Sequence, residues 1–441
     1  MPDINIEVSP GTSKLLLTAG KWCNDDIVIR APMGKSSGPV PAVIDPAAYS
    51  FTLEPGTSKR LLTAGKYCER NILVTAKDLP RPLVTLDIAD GPIVITDTGY
   101  TQGDGAEIPW GDNTAHEITV TGTNNGANNI VLKGGNPVIT LQNVSMAVTA
   151  ADTPGLLLYG GTGAGLDRAV KADLVLIGEN SIMCSDCTPI QININAILTI
   201  QGSGKLTAEV DLNNTPAIGC GDANTYAYTS ATGDAGRNNA YRNSGNLTIK
   251  SGTVNAVGKG RGTNQYVAAI GDSYYANFGD VTIEGGTITL TNKDTVGCGM
   301  SGDNIVISGG LINDTTGGSK GGVHAQMSFT MSSGTVRTSS VLRLGTPDSV
   351  EVTGGNIGTL YTGDIPGRTR TKLSFVTADG SPIVDTEVFV SEGDNEWSAL
   401  TDEDGVVYTY LDAGTSLIRA GVSYDRKIDV SIAGGEGTFV G

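Results

Sequence analysis

Aromatic residues make up only 5 % of this chain, and its two histidines, His116 and His324, stand far apart. The interior must therefore be filled by small and branched aliphatic side chains, and a histidine-based metal site has too few donors to draw on. Basic residues are scarce too, with 29 Lys and Arg against 46 Asp and Glu and a formal net charge of -17. Such a field repels a phosphate backbone, so nucleic acid is not an expected partner. No apolar run reaches the roughly 18 residues of a membrane-spanning helix, so no membrane insertion is expected. The opening MPDINIEVSPGTSKLLLTAG has no basic segment followed by an apolar core, so no signal peptide is expected either. Six cysteines stand at 23, 68, 184, 187, 220 and 298. Cys184 and Cys187 form CSDC, a pattern open to a redox pair or half of a metal site, but no second CxxC accompanies it. Packing is the preferred reading, with no cofactor and no metal expected.

What is abundant is glycine, 61 of 441 residues, together with Val, Ile and Thr. The glycines follow no three-residue period, which excludes collagen, and the β-branched content argues against disorder. From Asp280 a phrase returns with small changes: DVTIEGGTITLTN, then NIVISGGLINDTT from Asn304, SFTMSSGTVRTSS from Ser328 and SVEVTGGNIGTL from Ser349. Its second apolar residue falls at Ile283, Ile307, Met331 and Val352, at intervals of 24, 24 and 21 residues. Each phrase reads as a strand, a Gly-rich bend and a second strand. Four-residue strands cannot bury an apolar face alone, so the copies are expected to stack as coils of a parallel β-solenoid. Leu176 and Ile200, also 24 apart, extend the same register upstream. About 12 coils would make a rod near 60 Å at the usual strand spacing.

A second repeat opens the chain. VSPGTSKLLLTAGKWCNDDIVIRA, from Val8, returns as LEPGTSKRLLTAGKYCERNILVTA, from Leu53, placing Trp22 against Tyr67 and Cys23 against Cys68. Units this small must pack on each other, on copies in an oligomer or on a host structure, which suits attachment. The organisation expected is all-β: repeat modules at 1–34 and 51–78 around a Pro/Gly/Ser linker at 35–50 that lets them stand apart, a solenoid over 79–368, and a β-sandwich over 369–441. Phe375, Val388, Val390, Trp397, Tyr408, Tyr410 and Leu411 are the expected sandwich core, and Asp402 to Asp404 reads as a solvated turn rather than a calcium loop.

Two coils are stretched by insertions around 222–245 and 259–280, which gather Tyr226, Tyr228, Tyr241, Tyr266, Tyr274, Tyr275 and Phe278 with Arg242. Insertions on successive coils emerge near one another, and aromatic faces beside polar groups suit sugar rings, so these residues are candidate glycan contacts. Packing of the tyrosines against the coil wall explains them equally well. No carboxylate pair recurs across coils. If the chain were an enzyme, Asp222, Asp234, Asp272 and Asp280 would be its acid and base candidates.

Three resemblances add to this reading. The paired N-terminal copies, with PGTS, LLTAGK(W/Y)C and IVIRA or ILVTA, resemble small modules of tailed-bacteriophage tail and fibre proteins, with Ala where Pro often precedes the turn glycine. The phrases LTIQGSGKLTA, PAIGCG, LTIKSGTVNA and VTIEGGTITL resemble bacterial carbohydrate-binding-type domains, which implies a right-handed parallel β-helix. The C-terminal GSPIVDTEV and TDEDGVVY resemble transthyretin-like or carboxypeptidase-regulatory-like sandwiches. Together they imply a non-enzymatic virion protein, a fibre, spike or decoration assembled in the host cytoplasm and released without an export signal. Its partners would be other virion proteins, through residues 1–78, and bacterial surface polysaccharide. A depolymerase, a purely structural decoration and a bacterial adhesin fragment are the alternatives. A homotrimer is an open expectation, without a heptad stalk to support it.

Overall fold

A computed structural model describes the strands between residues 4 and 76, and residues 84–441 apart from 112–115, 160–169, 194, 214, 221–244, 261–266, 272–277, 294–296, 317–321, 339–348 and 359–364. The chain divides into two compact units, Met1–Pro82 and Leu83–Gly441.

In the first unit the two repeat copies exchange strands. Ile4–Glu7 runs parallel to Ile27–Arg30 of its own copy, which then pairs antiparallel with Ser58–Leu62 of the second. Reciprocally, Tyr49–Leu53 runs parallel to Ile72–Ala76, which pairs antiparallel with Ser13–Leu17 of the first. Lys21–Cys23 and Lys66–Cys68 form an antiparallel pair with Trp22 opposite Tyr67. Of the packing arrangements open to such small units, the copies pack on each other and share every sheet of the unit, because four short strands alone leave too many unpaired edges. Tyr49 and Ser50, expected in the linker, belong to a strand. The register sets Cys23 opposite Lys66 and Cys68 opposite Lys21. The two cysteines are thus diagonal across the pair.

The second unit is all-β with largely parallel sheets. Three rows of strands stack in parallel register, and the chain visits each row once per rung. The first row holds ten strands: Val84–Asp87, Glu117–Thr121, Val138–Gln142, Lys171–Ile177, Ile197–Gly202, Asn246–Ile249, Val281–Ile283, the ends of Cys298–Ile307 and Val323–Met331, and Ser349–Val352. Nine intervals at about 4.8 Å give roughly 43 Å, shorter than the expected rod. The second row is an eight-stranded sheet from Thr123–Gly126 to Thr335–Arg337. The third runs from Ile93–Ile95 through Ile218–Gly219 and Ala268–Gly271 to the start of Val323–Met331.

Alternation decides what each strand buries. In Val281–Ile283 the side chains of Val281 and Ile283 are fully buried and Thr282 faces outward. Each interior aliphatic stabilises the stack by about 1.5–3 kcal/mol. The expected column holds at Ile283, Ile307, Met331 and Val352, which are registered partners. It continues upstream through Ile249 and Ile200, but Ile200 pairs with Leu174, not with Leu176. The slip is two residues, which keeps the same side chains inward and so costs no burial.

Both ends of the stack are closed. At the start, Ile93–Ile95, Gly99–Gln102 and Ile108–Pro109 fold back antiparallel. Trp110 stacks on His116 at 4.6 Å and donates from Nε1 to the Thr96 carbonyl, and burial lowers the His116 pKa. At the far end a three-stranded and a four-stranded sheet enclose their own core of Phe375, Val388, Val390, Trp397, Leu411 and Phe439. Tyr410, expected in that core, packs with the stacked rungs, and Tyr408 is half-buried beneath the Arg370 guanidinium. The sandwich meets the last rungs by backbone bonds: Gly334 N donates to Ser398 O, and Ile357 N to Tyr408 O, at 2.8 and 2.9 Å. Asp402 Oδ1 accepts from Asp404 N and Val406 N, so this turn uses its own carboxylate.

Candidate functional site

The largest insertion, 221–244, departs after Cys220 and returns at Gly245, and 272–277 departs after Gly271 and returns at Phe278. Their departure strands are neighbours, with Ile218 opposite Ile270 and Gly219 opposite Gly271. Their return strands are neighbours too, with Leu247 opposite Val281. Both insertions therefore span the same corner, between the third row and the first, on adjacent rungs. Segment 261–266 leads into the opposite end of Ala268–Gly271, about 10 Å away.

Ten of the twelve candidate residues, Asp222, Tyr226, Tyr228, Asp234, Tyr241, Arg242, Tyr266, Asp272, Tyr274 and Tyr275, lie outside the described residues. The other two are placed. Phe278 has no exposed surface and belongs to the core, so it is not a surface contact for a glycan. It sits where the chain re-enters the rung, within the core that the inward aliphatic side chains build.

Asp280 lies on the outer side of the first row, in a polar ladder across successive rungs. Asn246 Oδ1 accepts from Asp280 N at 3.0 Å, Asp280 Oδ1 accepts from Asn304 Nδ2 at 2.7 Å, and Asn304 Oδ1 accepts from Ser328 Oγ at 2.6 Å. The ladder ties four rungs together on the side the insertions flank. Beside it stands Asp303, whose pKa is raised by burial first and then by the Asp280 charge. Asp303 escaped the sequence reading. It lies 23 residues from Asp280, and only the pairing of Val281 with Ile305 brings the two onto neighbouring rungs.

Cys184, Cys187, Cys220 and Cys298 are buried thiols outside any disulfide, and a hydrogen bond with Cys184, then burial, push the Cys187 thiol far up. Among the described residues no group of three His, Cys, Asp or Glu side chains is placed to hold a metal ion. A concavity of about 240 Å³ lies where Gly286, Gly310 and Gly334 meet Glu387 and Ser398 of the sandwich. Within its lining Ser398 Oγ donates to Glu387 Oε1 at 2.9 Å, and Thr335 Oγ1 accepts from Leu400 N at 2.7 Å.

The fold and this corner define an all-β, largely parallel-sheet protein that presents insertions beside an ordered polar row. No family model, curated protein or solved structure matches the chain. No helix among the described residues is long and apolar enough to cross a membrane.

Proposed function

We propose that the stacked rungs are a right-handed parallel β-helix and that the chain is a non-enzymatic structural protein of a tailed-bacteriophage particle. Residues 1–78 attach it to other virion proteins, and the insertions bind bacterial surface glycan. The observation that carries this reading is the shared corner of 221–244 and 272–277, because it puts Tyr226, Tyr228, Tyr241, Tyr274 and Tyr275 on two segments anchored one rung apart. Many copies on one particle turn weak glycan contacts into firm adhesion. The test is binding of the full chain to host cells and to a glycan array, with Tyr226→Ala, Tyr241→Ala and Tyr274→Ala variants. Binding lost in the variants supports adhesion. Silence on cells and array, with particle attachment intact, replaces it by a purely structural decoration. A chain encoded beside secretion functions instead of virion genes would be a bacterial adhesin fragment.

One observation favours a second reading. Asp303, held toward its protonated form beside Asp280, resembles the divided roles of an acid and a base. A depolymerase would release new reducing ends or unsaturated sugars from host polysaccharide, and Asp280→Asn, Asp303→Asn or Asp272→Ala would abolish the release. No product from capsule or wall polysaccharide removes this reading.

A further inference from the structure

The first row carries a second outward column beside the polar ladder. Thr199 is registered with Thr248, Thr248 with Thr282, Thr282 with Val306 and Val306 with Thr330. All five side chains are half-exposed, between neighbours that point into the core. In the ladder two positions away, Asn246, Asp280, Asn304 and Ser328 are bonded from rung to rung. The four threonine hydroxyls take up no such partner among the described residues. The outcome is a straight, uncharged strip of methyl and hydroxyl groups that repeats with the rungs at about 4.8 Å, roughly 19 Å over four intervals.

We propose that this strip is a track for a neutral, linear polysaccharide lying along the stacking axis. The inference rests on the glycan-binding reading and specifies the ligand class. Three features select the occupant. An extended β-linked hexose chain advances by nearly one rung spacing per sugar, so successive rings meet equivalent positions, threonine at four rungs and Val306 at one. Each threonine offers a methyl to a sugar C–H face and a hydroxyl able both to donate and to accept, which matches a ring that carries both surfaces. The strip bears no charge on a chain of net charge -17, which disfavours a polyanionic glycan and leaves a neutral one free to approach. The track also adjoins the candidate corner: the insertions return at Gly245 and Phe278, directly ahead of Thr248 and Thr282. Because the bonded ladder already fixes the rungs, little ordering remains to be lost on binding.

The test is calorimetric titration of the full chain with β-1,4-linked oligoglucosides from disaccharide to hexasaccharide, and with an oligouronate of matching length. Affinity is expected to rise with length up to about five sugars, the number of rungs in the strip, and to be weaker for the oligouronate. Thr248→Val with Thr282→Val keeps the β-branched shape that strands favour and removes two hydroxyls. It should weaken the pentasaccharide roughly tenfold and leave the disaccharide nearly unchanged. Affinity independent of length and unmoved by the valines would place recognition in the insertions alone, overturning the track and sparing the glycan reading. Preference for the oligouronate overturns the track as well. No binding in either series, together with silence on the glycan array, overturns both.

Discussion

Asn356 donates from Nδ2 to the carbonyl oxygen of Leu400 at 2.9 Å, joining the last rungs to the sandwich that covers them. Nδ2 also reaches the Val406 carbonyl at 3.4 Å, and Oδ1 accepts from Tyr408 N and Gly358 N, both at 3.1 Å, so one 3 % exposed amide serves four backbone groups. Removing it takes a side-chain partner from each of these groups inside a buried junction. Asn356→Ala is therefore expected to cost about 2–4 kcal/mol. Trp397, buried where Gly354 passes beneath its ring, reports the junction by fluorescence during urea unfolding. Asn395→Ala removes a single bond, to Thr353 O from a half-buried position, and should cost about 1 kcal/mol or less.

A glycine at the bend sets how closely rungs can stack. Gly310 has φ +80°, and a Cβ there would lie 2.8 Å from the Gly285 carbonyl carbon and the Gly286 oxygen of the preceding rung. Gly393, in a sandwich hairpin, has φ +59° and open space around it. Gly393→Ala should cost only the left-handed backbone penalty, about 1 kcal/mol. Gly310→Ala must also push neighbouring rungs apart and should cost at least twice as much, read from the shift in melting temperature of the two variants.

The regions of the fold legible in the sequence are those where alternation and interval agree. From Ile283 to Val352 each phrase has an apolar pair around one outward residue, polar in all but Val306, directly ahead of a Gly- or Ser-rich bend, so one alignment satisfies all four copies. Leu174 and Leu176 are both apolar and both inward, so the interval to Ile200 alone does not distinguish them. The strand exchange between N-terminal copies was hidden for a related reason: near-identical copies present equivalent edges, and pairing within a copy or across copies satisfies the same pattern. Phe278 sits in a Tyr-rich stretch and reads as surface until its place at the mouth of the rung is known. Thr248 and Thr282 were visible only as the polar members of LTI and VTI. Their meaning as a column requires the register.

The Asp303 carboxylate should make stability depend on pH with a definite sign. Its pKa in the fold is raised above the ordinary 3.8 by burial and by Asp280, so the folded state favours the protonated acid. That contribution is fully present below the unfolded value and is lost as the pH rises through the raised one. Asp303→Asn mimics the protonated side chain at every pH. The variant should therefore melt higher than the parent near neutrality, with the gap closing as the pH falls toward 3.8. A parent that melts higher at neutral pH would show that the Asp303 charge is stabilised.

Strand exchange in the N-terminal unit predicts what happens when one copy is deleted. Without residues 1–34, Ile72–Ala76 keeps its parallel neighbour Tyr49–Leu53 but loses Ser13–Leu17, and Ser58–Leu62 loses Ile27–Arg30. The surviving copy then exposes the two edges that the missing copy covered. Those edges are complementary to a second chain's copy, which has the same strands in the same order, so two shortened chains can rebuild the exchanged unit between them. The shortened protein should have twice the association number of the full chain in light scattering, in a concentration-dependent equilibrium. Lys66→Pro removes the backbone donor at the position registered with Cys23 in the Lys21–Cys23 pairing and should weaken that association. If the copies were independent modules, deleting one would leave the association number unchanged, and the exchange would be wrong.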